Sequence, residues 1–231
     1  MKKAEKKKTG LNWWCDRAWI LFGCIVTAVM TCVILFFWQK WSTELKVVAA
    51  VAALIPMHVV EEWVFPGGFH FQYNSFLYKS TQPDRYPMCR VSDMITNLGA
   101  TLLYIVLTII CILNDGKVGT GIVMATIGFS ALEVLLHTIF GTIAFFKYRS
   151  KGKTTIYGPG SITAYLGFGV FGAIMLYCMS GRVVTGNDWI VCGIILVIIA
   201  LCCILIPENL IKKKDNRYYF ETNGYFDRFL K

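Results

Sequence analysis

LKVVAAVAALIPMHVVEEWVF, residues Leu45 to Phe65, is the stretch on which the fold turns. At 1.5 Å per residue this run makes a helix about 30 Å long, which is the thickness of a bilayer's hydrocarbon core. Between Val47 and Val60 its only ionisable side chain is His58. A spanning helix is therefore expected here, because only a helix crosses lipid without stranding backbone donors and acceptors. The same stretch then breaks the rule that makes it a span, by placing Glu61 and Glu62 near its end.

Five other runs have spanning length: Ala18 to Trp38, Val91 to Leu113, Gly119 to Phe146, Ser161 to Ser180 and Trp189 to Ile206. Six spans use up a chain of 231 residues, of which 56% are hydrophobic and 16% charged, a balance unlike that of a soluble domain. The expected fold class is all-α, a polytopic membrane bundle. It divides into a basic, aromatic N-terminal segment (residues 1–17), a six-helix domain (18–206) and a basic, aromatic tail (207–231) that suits the membrane surface. The first run has full spanning length and no small-residue cleavage pattern, so it is expected to stay as the first helix rather than act as a removable signal. No internal repeat is present.

Lys and Arg side chains set the orientation. Nineteen of the 23 fall in the N-terminal segment, the second-to-third connection, the KYRSKGK loop and the tail; Lys40, Lys46, Lys117 and Arg182 fall on the other side. The positive-inside rule then puts both termini in the cytoplasm of a cell-membrane protein. The formal charge of +9 sits beside apolar runs, where lipid headgroups rather than nucleic acid are the natural partner. Trp13, Trp14, Trp19, Trp38, Trp41 and Trp189 read as interfacial anchors, and His70 as a headgroup-level residue. Seven of the nine cysteines lie within apolar runs, so no disulfide framework is expected. Gly121, Ala125 and Gly128 on the fourth helix, with Gly167, Gly169 and Gly172 on the fifth, suggest close approach of those two helices through small faces.

Three acids lie inside spans: Glu61, Glu62 and, at the middle of the fourth helix, Glu133. Each costs a few kcal/mol in hydrocarbon unless it is paired or wetted. Two histidines accompany them, as HVVEE (His58, Glu61, Glu62) and EVLLH (Glu133, His137). On a helix, positions three and four apart share a face, so each span presents a compact imidazole and carboxylate group. His58 lies about 10 Å and His137 about 13 Å from the inner ends of their helices, so the two groups can meet at one depth. Asp93, Asn97 and Thr101 make a polar stripe on the third helix, and Tyr157, Ser161 and Tyr165 enter with the fifth at the same level. Pro56 removes a helical hydrogen bond to the Ala52 carbonyl and can bend the second helix just above the site.

HVVEEWVFPGGF resembles the motif of the HXXEE family of integral membrane proteins, and EVLLH and YGPGSITA resemble that family's pattern more weakly. The resemblance implies a function not yet characterised and suspected to be enzymatic, with further NXXXE and HXXXH patterns. Here Asn97 is followed by Thr101 and His137 by Gly141, so those two extra ligands do not carry over.

The leading expectation is a metal-dependent, hydrolase-like enzyme acting on a lipid or other apolar substrate from the inner leaflet. His58, Glu62, Glu133 and His137 would hold zinc, iron or manganese, and Glu61, Glu62, Asn97 and Tyr165 would be catalytic, Glu61 as general base. Three alternatives use the same residues. One is a metal-free acid and base isomerase, one a proton- or cation-coupled transporter, and one a scaffold whose polar cluster only ties helices together.

Overall fold

The computed structural model describes residues 10–230; the basic run of residues 1–8 lies outside them. Among the described residues, six helices are long and apolar enough to cross a membrane: α1 Trp19–Phe36, α2 Thr43–Val64, α3 Arg90–Leu113, α4 Thr120–Lys151, α5 Ser161–Met179 and α6 Gly186–Ile211. No strand occurs among the described residues. By length and composition the chain is a multi-pass helical membrane protein, and the six spans fall where the apolar runs are. The largest difference is at α6, which continues through Pro207 to Ile211 rather than ending at Ile206. It does so after a stretch of wider, π-type turns at Ile198–Leu205, and Glu208 thereby joins the last turn of a span.

Five helices close a ring in the order α2, α3, α6, α4, α5, and small residues mark its seams. Gly99 on α3 meets Cys203 on α6, Gly128 on α4 meets Leu196 on α6, Gly172 on α5 meets Ser130 on α4, and Gly167 on α5 meets Leu54 on α2. The α4–α5 seam exists, but Gly121 and Gly128 serve α6 instead, Gly121 lying against Asp188 and Val191. The shared small-residue face expected of α4 and α5 is thus divided between two neighbours. Helix α1 lies outside the ring, with Gly23 against Pro56 of α2. From α1, the Thr27 hydroxyl donates to the Ala53 carbonyl at 2.7 Å, one turn before Pro56.

At the end of the bundle far from the KYRSKGK loop the connections are short. Ser42 caps α2 and Thr185 caps α6, while Arg182 pairs with Glu44 at 2.7 Å.

The other end, rich in Lys and Arg, carries a folded cap. The segment after α2 turns through Gly67 (φ +70°) and Gly68 (φ +104°), a backbone that side-chain-bearing residues rarely adopt, and a Cβ at Gly68 would strike the Asn223 carbonyl. Here the tail crosses. Tyr225 N–H donates to the Gly67 carbonyl at 3.0 Å and Phe220 N–H to that of Asp84 at 2.8 Å. Phe226 and Phe229 are buried among Phe71, Ala144 and Tyr148. The tail's aromatic residues are thus used in part against the protein itself, a choice that saves exposing large rings at a loop-covered surface.

His70 differs from its expected headgroup placement. It is buried, stacked at 3.8 Å and 4° on Phe220, and burial pushes its pKa down to about 3 against the opposing pull of a hydrogen bond with the Thr222 backbone. An unfolded histidine titrates near 6.5, so below that pH the unfolded chain takes up a proton that folded His70 refuses. Stability is accordingly full above pH about 6.5 and falls with pH below it. Melting curves of the detergent-solubilised protein should show a steeper loss between pH 6.5 and 5 for the wild type than for His70→Gln; equal slopes would contradict this account.

Candidate functional site

The second helix carries the site's centre because its turns widen. Val60–Val64 forms a π-type turn directly after His58, a local geometry frequent at functional sites. Glu62 stays on the His58 side, with 3.3 Å from His58 Nε2 to the carboxylate. Glu61 turns toward the start of α5, where it accepts the N–H groups of Ile162 (3.0 Å) and Thr163 (2.9 Å), the Thr163 hydroxyl (2.6 Å) and the Tyr157 hydroxyl (3.2 Å). A carboxylate at a helix N-terminus accepting free N–H groups is well placed electrostatically. Glu61 therefore does not face the cavity as a general base would; four donors hold it as the cap of α5.

Through Thr163 that cap reaches the centre. Thr163 Oγ1 lies 2.7 Å from His58 Nδ1. Its single proton goes to the Glu61 carboxylate at 2.6 Å in preference to the Gly160 carbonyl at 3.2 Å. His58 Nδ1–H must then donate to Thr163, which in the neutral imidazole leaves the Nε2 lone pair aimed inward. A histidine oriented by a hydrogen-bonded carboxylate chain is the arrangement that prepares an imidazole to bind a metal.

His137 arrives from α4 across the ring. Its Nε2 lies 3.2 Å from His58 Nε2 and 3.5 Å from Glu62. Glu133, one turn away on α4, lies 3.5 Å from His58 Nε2 and 3.8 Å from His137 Nε2. His58, Glu62 and His137 form a buried group whose ligand atoms all fall within 4.8 Å of one another, close enough to hold one metal ion. Glu133 stands at its open side with a side chain 20% exposed, against 1–5% for the other three. Phe168 meets the His58 ring edge-on and Phe69 lies tilted against His137. Gly160 (φ +88°) passes so close that a Cβ there would overlap the His137 imidazole.

The remaining expected residues lie in three places. Asn97 lines the chamber beside the centre, and its amide donates to Asp93 at 3.0 Å. Thr101, one turn deeper, bonds the Asn97 carbonyl and supports the helix. Tyr165 does not line the chamber: its hydroxyl pairs with that of Thr138 at 3.0 Å, on the α4–α5 seam. Three residues that count here were not singled out from the sequence. Thr163 was hidden between Ser161 and Tyr165, Gly160 figured only within the YGPGSITA stretch that opens the fifth helix, and Glu208 was assigned to the tail. For Thr163, its place two residues past the start of a span that opens with PGS was a usable sign of a capping position.

A family model described as a protein of unknown function with HXXEE motif matches residues 49–178. The chain belongs to the HXXEE family. The matched stretch contains all four imidazole and carboxylate residues of the centre together with Thr163, and ends before Glu208. No curated protein and no solved structure matches the chain. Within the HXXEE motif the geometry separates the two carboxylates: the second faces the centre, and the first orients the histidine through Thr163.

That division can be measured without knowing a substrate. Thr163→Val keeps the volume but leaves His58 Nδ1–H buried without a partner and should cost about 1–3 kcal/mol. Thr163→Ser keeps the hydroxyl and should lose much less. Chemical denaturation in detergent micelles reads the difference, and equal losses for the two variants would show that Thr163 matters through packing alone.

Proposed function

We propose that the His58, Glu62 and His137 group binds one divalent transition ion, zinc, iron or manganese, and that the protein is an intramembrane hydrolase-like enzyme acting on a lipid or other apolar substrate. One observation carries the reading. Roughly 2.0–2.1 Å ligand bonds at tetrahedral angles place neighbouring donor atoms about 3.3 Å apart. The three mutual separations here are 3.2, 3.3 and 3.5 Å. Two histidines and one carboxylate with an open fourth side are also the donor set of hydrolytic rather than structural sites.

Charge supports the same reading. Among the described residues, Glu62 and Glu133 are approached only by the two imidazoles, and no Lys or Arg lines the chamber. Two carboxylates in a low-dielectric bundle need positive charge beside them, and one divalent ion meets that need. An ion held there would supply Lewis-acid activation of water and of a scissile carbonyl. In this reading Glu133, at the open side, takes the proton from attacking water and delivers it to the leaving group. Asn97 offers a polar contact to the substrate, and Glu61 and Thr163 keep His58 in its ligating tautomer.

The test is elemental analysis of protein purified without chelator. Wild type should carry close to one equivalent of zinc, iron or manganese. His58→Ala, His137→Ala and Glu62→Gln should each lower occupancy at least tenfold, and Glu133→Gln should keep most of it. A wild type with no more metal than the double histidine variant would remove metal catalysis.

In the membrane this centre belongs to the cytoplasmic half, with both termini inside, an orientation supported by nineteen basic residues against four. In intact cells an impermeant thiol reagent should label Asn187→Cys above the wild-type background and Ser150→Cys only after permeabilisation. Labelling of Ser150→Cys from outside would reverse the orientation.

A further inference from the structure

A second pocket lies outside the chamber, at the end of the bundle rich in Lys and Arg. Its volume is about 340 Å³, and Asp16, Trp63, His70, Arg90, Phe220 and Glu221 bound it. It shares no lining residue with the chamber. Trp63 stands between the two, since its indole donates at 2.6 Å to Asp93 on the chamber wall.

Two side chains around this pocket are buried with polar atoms unused. Arg90 is 5% exposed and His70 4%. One guanidinium nitrogen of Arg90, Nη1, pairs with Asp16, while Nε and Nη2 have no hydrogen-bond partner among the described residues. Those two nitrogens make one edge of the planar group, the fork that receives two oxygens of a phosphate or carboxylate side by side. An empty fork in a buried place is a cost that a bound oxyanion removes.

His70 has the opposite need. Its bond with the Thr222 backbone favours the protonated ring, so a carbonyl accepts from Nδ1. Nε2, which has no partner among the described residues, is left as an acceptor. Asp16 and Glu221 bring carboxylates to the same pocket. A simple anion would fill the fork but offer these acceptors nothing, and a simple cation would do the reverse. The group that fits carries an oxyanion and N–H donors together. Trp63 and Arg90 stand at the ends of two spans, α2 and α3, where lipid headgroups lie.

We infer that this pocket binds the headgroup of an ethanolamine phospholipid, its phosphate on the Arg90 fork and its ammonium among His70, Asp16 and Glu221. The site is separate from the His58 and His137 centre and stands whether or not a metal binds there.

The test offers full-length protein in non-ionic micelles three probes: dihexanoyl phosphatidylethanolamine, dihexanoyl phosphatidylglycerol and free phosphoethanolamine, with bound ligand read by native mass spectrometry. Wild type should retain the ethanolamine lipid at least tenfold more tightly than the glycerol lipid, which has the phosphate but no ammonium. Arg90→Lys keeps the charge but not the fork, and His70→Phe keeps a ring against Phe220 but not the acceptor. Each should weaken retention of the ethanolamine lipid about tenfold and leave metal content at the wild-type level. Equal retention of the two lipids would overturn the inference, as would wild-type retention in either variant that folds. Free phosphoethanolamine bound as tightly as the lipid would replace the lipid with a soluble phosphate ester and overturn that assignment.

Discussion

The contact from the Thr163 hydroxyl to Glu61 joins the fold to the site. Glu61 belongs to α2 and Thr163 to the first turn of α5, so the bond closes the seam between two ring neighbours that are far apart in the chain. It also decides the tautomer of His58, because the hydroxyl has one proton to give and the carboxylate takes it. Burying Glu61 in the bundle is tolerable only because the free N–H groups at the start of a helix are buried there too, and each solves the other's deficit. The Tyr157 hydroxyl completes the shell from the PGS loop. Removing the acid would strand helix-end donors, and removing the helix end would strand an acid, so the two are mutually required.

Geometry that sequence spacing cannot express follows from this pairing. Positions three and four beyond His58 share its face on an ideal helix, which made Glu61 and Glu62 look alike. The wider turn at Val60–Val64 and the presence of α5 separate them. Spacing places residues around one helix axis, but which neighbour fills the gap beside a face depends on ring order. That order is set by seams such as Gly172 against Ser130 and Gly167 against Leu54, where one hydrogen atom in place of a side chain permits contact.

The spans, their number and the shared depth of His58, Glu62, Glu133 and His137 were legible because lipid imposes length and excludes charge, and both constraints act residue by residue. What was illegible depended on contacts between distant segments. His70 and the tail aromatics read as headgroup residues, and only contacts between distant segments, His70 on Phe220 and Phe226 and Phe229 against Phe71 and Tyr148, remove them from the surface. Glu208 read as tail because Pro207 suggests a helix end, yet a proline's missing N–H costs little where the preceding π-type turns have already shifted the hydrogen-bond ladder. Tyr165 shares the depth of the centre but points to Thr138, a direction that depth does not determine.

Partner by partner, the buried acids at this level fall into two sets. Glu61 has four neutral donors, Asp93 has the Trp63 indole at 2.6 Å and the Asn97 amide, and Glu208 has the Tyr73 hydroxyl at 2.8 Å. For these three, N–H and O–H dipoles replace the water they have lost. Glu62 and Glu133 have no such donors among the described residues and meet only imidazoles, both of which present Nε2 to the same point. A bundle built only for stability would have given these two acids neutral donors as it did the other three. Their separation from that pattern, at one spot and on opposite walls of the ring, is what supports the proposed cation site within reach of both imidazoles.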